Sequence, residues 1–417
     1  MRVLFTVFAA KAHLYNLVPL AWALRSEGHE VCIASQPDLI EDITRTGLPA
    51  VSVGSALNLM QTAQEVASDE AGYGVGYDIA ETRPEKLTWD YVKGTLNTYG
   101  TIHSESVSNQ TFTDDLLGFA RRWKPDLVVW DALTYSGPIV AHATGAAHAR
   151  VLFGLDHWAR MRSLYLEMAE KRPAGDREDP MAEWLGKRLE PLGLEFEEDL
   201  VLGQATIDPM PSWMRFPVGL NNLPIRCVPF NGPSVIPSWI HEPPQRPRVC
   251  LTLGLTLAGV RNEKVPLPDM VSALASLDAD VIAAVRADQF SSLDDVPDNV
   301  RLVDFVPLNE LLPSCSVIIH NGGTGTTGNA VVHGVPQAIV PGWLWDETGV
   351  AKRLEQRGAG ALIEREEFSA DLLRSRVEKI LQDPSYRQNA SQLRTEMLQT
   401  PSPSEVARQL EGLVKNR

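Results

Sequence analysis

Cysteine is scarce in this chain, four in 417 residues, and Cys32, Cys227, Cys250 and Cys315 are scattered with neither metal-ligand nor redox spacing. That excludes a disulfide framework; the four read as small buried hydrophobes in a reducing compartment. Positive charge is short as well, with 38 Lys and Arg against 53 Asp and Glu and a net charge of −15. Nucleic-acid binding needs clustered cations, so a polyanion is excluded as the main partner. No run reaches the roughly 18 apolar residues of a membrane span. The N-terminal stretch from Met1 to Ala10 is apolar, but Lys11 and His13 interrupt it before a signal peptide forms. A cytoplasmic protein is expected.

What is present is ordinary globular composition, 44% hydrophobic and 22% charged. At this length a single core is unusual, and two domains are the default. Arg2 to Phe8 is a β-rich apolar run; Leu17 to Leu24 has helical spacing and stops at Gly28. His29 to Ser35 and Ala50 to Val53 read as strands around a helix from Leu39 to Thr46. This βαβαβ pattern predicts a parallel sheet with right-handed crossovers.

From Ser55 to Gln110 the periodicity fades and aromatics stand in polar surroundings: Tyr73, Tyr77, Trp89, Tyr91 and Tyr99. Such a stretch reads either as a functional insertion or as short helices packed on the sheet. Regularity returns with a helix from Thr113 to Trp123, a strand from Asp126 to Trp130, a helix from Ser136 to Thr144 and a strand from Ala149 to Phe153. Helical segments follow at Met181 to Leu189 and Glu195 to Gly203.

Leu223 to Pro247 holds seven prolines in 25 residues, too many for a helix or a central strand. It reads as the linker, and alternation then starts afresh at the strand Arg248 to Leu253. Two doubly wound α/β halves predict a cleft at the carboxyl ends of their strands.

The most distinctive stretch is His320-Asn321-Gly322-Gly323-Thr324-Gly325-Thr326-Thr327. It follows the apolar run Ser316-Val317-Ile318-Ile319 and leads into Ala330 to His333, with Gly334 as a stop. A strand, a glycine-rich turn and a helix start make an anion site, because backbone can approach the ligand and free helix N–H groups point at it. A phosphate-bearing ligand is expected, although the same string can be a plain turn. It is no Walker loop, since no lysine occurs between Lys264 and Lys352. The dinucleotide fingerprint belongs after a domain's first strand, and this loop lies late and opens with a histidine.

For the chemistry, His13 lies just past the first strand and Asp131 at the carboxyl end of a later one, where open α/β sheets place ligands. An imidazole whose other nitrogen donates to a carboxylate is a competent general base. By residue type alone, His13 also reads as a capping or partly buried histidine, and Asp131 as a loop or cap residue. Tyr77, Trp89, Tyr135 and Phe153 are the candidate contacts for a hydrophobic acceptor.

The glycine loop resembles the donor-binding motif of family 1 glycosyltransferases with the GT-B fold. The run Lys11-Ala12-His13-Leu14-Tyr15-Asn16-Leu17-Val18-Pro19 and its continuation to Arg25 is similar to the opening of the bacterial members that attach deoxysugars to polyketide antibiotics. So are Arg177 to Trp184, Asn231 to Pro237 and Arg248 to Gly254, in the same order along almost the whole chain. The resemblance implies two Rossmann-like domains facing across a cleft: an acceptor domain at 1–222, a linker at 223–247 and a donor domain at 248–401. The last helix, about 402–417, would pack back on the first domain.

In that family the histidine matching His13 is the proposed base, oriented by an acidic residue near Asp131. On the donor side the resemblance implies that His320 and the turn Gly322, Gly323, Thr324, Gly325 and Thr326 contact the pyrophosphate, with Gly254 and Thr256 closing on it. Phe305-Val306-Pro307 would hold the base, although Phe305 also reads as plain core. The sugar would meet Asp346 and Glu347, where the family often has an Asp-Gln pair. A carboxylate cannot donate hydrogen bonds as an amide does, which suits a donor lacking some hydroxyls. Asn321 stands where close relatives commonly have a second histidine.

The reaction so implied is inverting transfer of a deoxysugar from a nucleotide sugar, with thymidine as the nucleoside, to a hydroxyl, or a carbon, of a hydrophobic aglycone. No cofactor and no metal are expected. The resemblance also implies an auxiliary protein similar to a cytochrome P450 without haem ligation, and admits a homodimer. Two rivals stay open: a nucleotide-sugar 2-epimerase of the same fold, and a non-catalytic nucleotide-sugar binding helper.

Overall fold

The computed structural model describes residues 1–58, 76–254, 267–285, 296–342 and 345–415. Part of the aromatic stretch, with Tyr73, and the proposed donor contact Thr256 lie outside them. The chain divides into two compact units.

The first unit comprises Met1–Met210, Arg215–Ile225 and Pro401–Arg417. Its sheet has seven strands: β1 (Arg2–Thr6), β2 (Glu30–Ser35), β3 (Ala50–Ser52), β4 (Leu127–Asp131), β5 (Ala147–Val151), β6 (Ala205–Asp208) and β7 (Asn222–Pro224). Their order is β3-β2-β1-β4-β5-β6-β7, every pairing parallel. Val3-Leu4-Phe5 and Leu127 to Trp130 are fully buried, as a parallel sheet covered on both faces requires.

The crossover after β1 is the helix Lys11–Ser26, which starts six residues earlier than the Leu17 expected from spacing. Pro19 lies inside it and removes one intrahelical hydrogen bond. Burial of Leu14, Leu17, Leu20 and Leu24 outweighs that loss. The closing helix Pro403–Lys415 buries Val406, Ala407 and Leu410. His29 bonds to its Glu411 at 3.1 Å and Glu27 to its Arg408 at 3.0 Å.

The described part of the aromatic stretch is helical: Trp89–Thr95, a π-helical turn Leu96–His103, and Ser104–Val107. Close packing dictates glycine at position 100. A Cβ there would fall 2.2 Å from Met181 Sδ and 2.6 Å from the Trp158 ring.

The helix His157–Glu170 has no counterpart in the sequence reading, and neither do β6 and β7. Its inward face carries Trp158, Met161 and Tyr165 together with Arg162, which is buried against Asp179 (2.7 Å) and Glu198 (2.7 Å), so a charge interrupts the apolar stripe. Its cap was the readable signal: Asp156 accepts from Ala159 N–H.

The second unit comprises Pro211–Met214 and Arg226–Thr400. Six parallel strands, β8 (Arg248–Thr252), β9 (Asp280–Ala284), β10 (Val300–Val303), β11 (Val317–His320), β12 (Gln337–Ile339) and β13 (Gly360–Leu362), run in the order β10-β9-β8-β11-β12-β13. The proline-rich segment after position 225 packs on this unit. Asn231 Oδ1 accepts from Asn309 N–H at 2.8 Å, and its Nδ2 donates to Asn329 Oδ1 at 3.2 Å. Both sheets are α/β and doubly wound, and each reverses its strand order once, between β1 and β4 and between β8 and β11. Those switch points are where such sheets leave crevices for ligands.

Candidate functional site

In the first unit β1 and β4 are neighbours in register, with Thr6 beside Trp130. Residues leaving their carboxyl ends therefore meet, whatever their separation in sequence. His13, in the first turn of the helix after β1, donates from Nδ1 to Asp131 Oδ2 at 2.7 Å. Asp131, the last residue of β4, is buried, and its other oxygen accepts from Leu133 N–H at 3.1 Å. This tautomer leaves His13 Nε2 with its lone pair.

Neighbours hold the arrangement still. Thr134 Oγ1 accepts from Phe8 N–H at 3.1 Å, and Gln36 Oε1 accepts from Ala9 N–H at 2.8 Å. The rings of Phe8 and Phe153 lie 4.6 and 4.4 Å from the imidazole. Thr134, Gln36 and Phe8 had no role in the sequence reading, because each acts through a partner far along the chain.

Phe153 thus touches the base. The other three acceptor candidates are engaged elsewhere. Tyr135 is a correction: it is 1% exposed and its hydroxyl donates to the Val201 carbonyl at 3.1 Å. Burial pushes its ionisation well above the usual tyrosine range. It is core and offers nothing to an acceptor. Trp89 stacks on Tyr165, 5.1 Å between centroids, under the Arg172 guanidinium at 4.5 Å. Tyr77 packs 5.5 Å from Tyr91 and against Gly94, where a Cβ would come within 2.3 Å of its ring.

In the second unit the glycine-rich turn joins β11 to the helix Thr324–His333, which begins six residues before the Ala330 expected from apolar pattern. The first bond of the helix is Thr327 N–H to the Gly323 carbonyl, at 2.9 Å. The N–H groups of Thr324, Gly325 and Thr326 precede it, as orphan donors at the positive end of the helix dipole. Gly325 is exposed, and Gly323, Thr324 and Thr326 are half-buried. Gly322 has φ +93°, open to glycine, and a Cβ there would fall 3.0 Å from Glu347 Cβ.

His320 is the second correction. It is fully buried: Nε2 donates to Gln337 Oε1 at 2.9 Å and Nδ1 accepts from Gly322 N–H at 3.0 Å. Both ring nitrogens are spent on shaping the turn, so the side chain does not reach out to a pyrophosphate. Burial lowers its pKa to about 4 and the Gln337 hydrogen bond only partly offsets that, leaving the ring neutral.

Gly254, just past β8, lies close to the turn: a Cβ on it would sit 3.4 Å from Asn321 Oδ1 and 4.0 Å from Thr326 Oγ1. Phe305 is 48% exposed, which ends its reading as core, whereas Val306 is buried. Asp346 and Glu347 are buried at the start of the helix Glu347–Gln356, after Trp345, whose φ of +50° is rare for a bulky residue. Asn321 Nδ2 donates to Glu347 Oε1 at 3.1 Å, a contact that no sequence pattern signalled.

Comparison with known proteins covers almost the whole chain. Residues 22–254 match the family described as erythromycin biosynthesis protein CIII-like, N-terminal domain, and residues 269–413 its C-terminal domain. Aclacinomycin-T 2-deoxy-L-fucose transferase of Streptomyces galilaeus is 48% identical, over 99% of this chain and 96% of that protein. The 3-alpha-mycarosylerythronolide B desosaminyl transferase of Saccharopolyspora erythraea is 42% identical over 100% and 99%. Among solved structures, glycosyltransferase VinC in complex with dTDP superposes with a TM-score of 0.92 at 48% identity, covering all of both chains. The chain belongs to the erythromycin biosynthesis protein CIII-like family, glycosyltransferases of the GT-B fold.

Proposed function

We propose that the protein transfers a deoxysugar from its thymidine diphosphate to a hydroxyl of a polyketide-type aglycone, with inversion at the anomeric carbon. The observation that carries the reading is the 2.7 Å bond from His13 Nδ1 to Asp131. It orients the imidazole with Nε2 as proton acceptor, beside the rings of Phe8 and Phe153. His13 takes the proton of the acceptor hydroxyl as the oxygen attacks the anomeric carbon, and the bond to the diphosphate breaks. Asp131 steadies the imidazolium that forms.

The departing diphosphate rests on the N–H groups of Thr324, Gly325 and Thr326, at the positive end of the helix. His320 shapes that turn from behind. Phe305 offers an exposed ring face to the base, and Phe153 an apolar contact to the aglycone. Further support comes from the relatives, whose names specify 2-deoxy-L-fucose, desosaminyl and mycaminosyl transfer, and from the dTDP complex of VinC. Nothing among them favours a 2-epimerase.

The test is His13→Ala with a thymidine diphosphate deoxysugar and an anthracycline or macrolide aglycone. Loss of a general base lowers turnover by about 10²–10⁴-fold with dTDP binding retained. Unchanged turnover overturns the assignment.

A further inference from the structure

We infer that Asn231 and Asn329 are positioning residues for the leaving diphosphate: together they hold the peptide that joins Gly325 to Thr326, so that the Thr326 N–H stays aimed out of the helix end. The inference rests on the proposed function, in that the diphosphate binds at this turn. The need for such a hold is visible in the sequence. The helix Thr324–His333 opens with Thr324-Gly325-Thr326-Thr327-Gly328, all residues of low helix propensity. Its N-cap is Gly323, which has no side chain to bond the first N–H groups, and no acidic residue stands in the first turn. A turn so built frays, yet its N–H groups must be left open for a ligand. Whatever steadies it has to act from the carbonyl side.

Asn329 does so. It is 6% exposed, and its Nδ2 donates to the Gly325 carbonyl, one turn back, at 2.8 Å. Asn329 Oδ1 accepts in turn from Asn231 Nδ2 at 3.2 Å, and Asn231 Oδ1 accepts from Asn309 N–H at 2.8 Å. This chain of bonds starts at a backbone N–H, which only donates, and ends at a backbone carbonyl, which only accepts. Both amides are therefore fixed in orientation, each with its oxygen toward the Asn309 end and its NH2 toward the Gly325 end.

A peptide group is planar, so the Gly325 carbonyl and the Thr326 N–H point in opposite directions from one rigid plate. Holding the oxygen aims the hydrogen. A hydrogen bond to the carbonyl also polarises the peptide, which strengthens its N–H as a donor to an anion. Alanine at position 329 would be the better helix former, so helix propensity gives no reason for an asparagine there. Asn231 begins Asn231-Gly232-Pro233, in the run that sequence reading takes for a linker, and through Asn329 that run reaches the glycine-rich turn.

The experiment is calorimetric titration of the full chain with dTDP, and with thymidine by competition against dTDP, for the wild type, Asn329→Ala, Asn231→Ala and the double variant. Asn329→Ala weakens dTDP about fivefold to tenfold, the scale of one hydrogen bond, and thymidine, which carries no phosphate, by less than about twofold. Asn231→Ala weakens dTDP about threefold or more, but adds less than about twofold once residue 329 is alanine, because it acts through that amide. A merely structural role would move both ligands together and would let the two substitutions add. Unchanged dTDP affinity in Asn329→Ala, equal losses for dTDP and thymidine, or additive losses in the double variant overturn the inference, while tight dTDP binding by the wild type keeps the proposed function standing. A wild type that binds dTDP no better than thymidine sinks both.

Discussion

Asp131 divides its two oxygens between His13 Nδ1–H and Leu133 N–H, and both jobs need an acceptor. An asparagine has one carbonyl oxygen and one NH2 group for those two places. When the NH2 faces Nδ1, the imidazole proton moves to Nε2, and the lone pair proposed to take the acceptor's proton is gone. Asp131→Asn is therefore expected to lower turnover by about 10²-fold or more, the scale of a lost general base. Titration with dTDP should be unaffected, because the turn proposed to bind it is built in the other unit; weakened binding would instead point to a structural role for Asp131. At this scale the sequence was legible where a residue's place follows from a strand end, as for His13 and Asp131. It was illegible where direction matters. Tyr135 as an acceptor contact was drawn from residue type and His320 as a phosphate contact from the family resemblance, and neither tyrosine nor histidine carries a mark of which way it turns.

The glycine-rich turn with its helix is legible as an element because strand, glycines and helix stop are local signals. What the pattern could not supply is the way His320 locks the turn. Its pKa of about 4 lies below that of an unfolded histidine, so the folded state refuses a proton that the unfolded state takes up. This contribution to stability is complete above the ordinary histidine pKa near 6.5 and is lost as pH falls from there toward 4, at about 1.4 kcal/mol per pH unit. Between pH 6.5 and 5 the wild type should lose about 2 kcal/mol more than His320→Gln. Urea unfolding at both pH values measures the difference, and equal slopes would mean that the ring titrates freely. Elements were missed for physical reasons too. The helix His157–Glu170 sets a buried Arg162 into its apolar face of Trp158, Met161 and Tyr165, and β7 (Asn222–Pro224) opens the proline-rich run that sequence reading assigns to a linker.

For the whole molecule, a ligand that binds only the folded chain stabilises it by mass action, about 2.7 kcal/mol at a hundredfold excess over Kd. Saturating dTDP is expected to raise the melting temperature accordingly, and hydrogen exchange should slow around 320–333 and near Phe305. Protection confined to other segments would move the donor site. The sequence by itself determined two α/β units and a glycine-rich turn between β11 and a helix, because strand alternation, helix stops and glycine geometry are written in neighbouring residues. Only the tertiary structure decided that His13 meets Asp131 across 118 positions, that His320 faces inward, and that Asn321 turns its NH2 to Glu347. Each of those depends on which strands lie side by side and what fills the space behind a side chain, and both are settled by packing between segments distant along the chain.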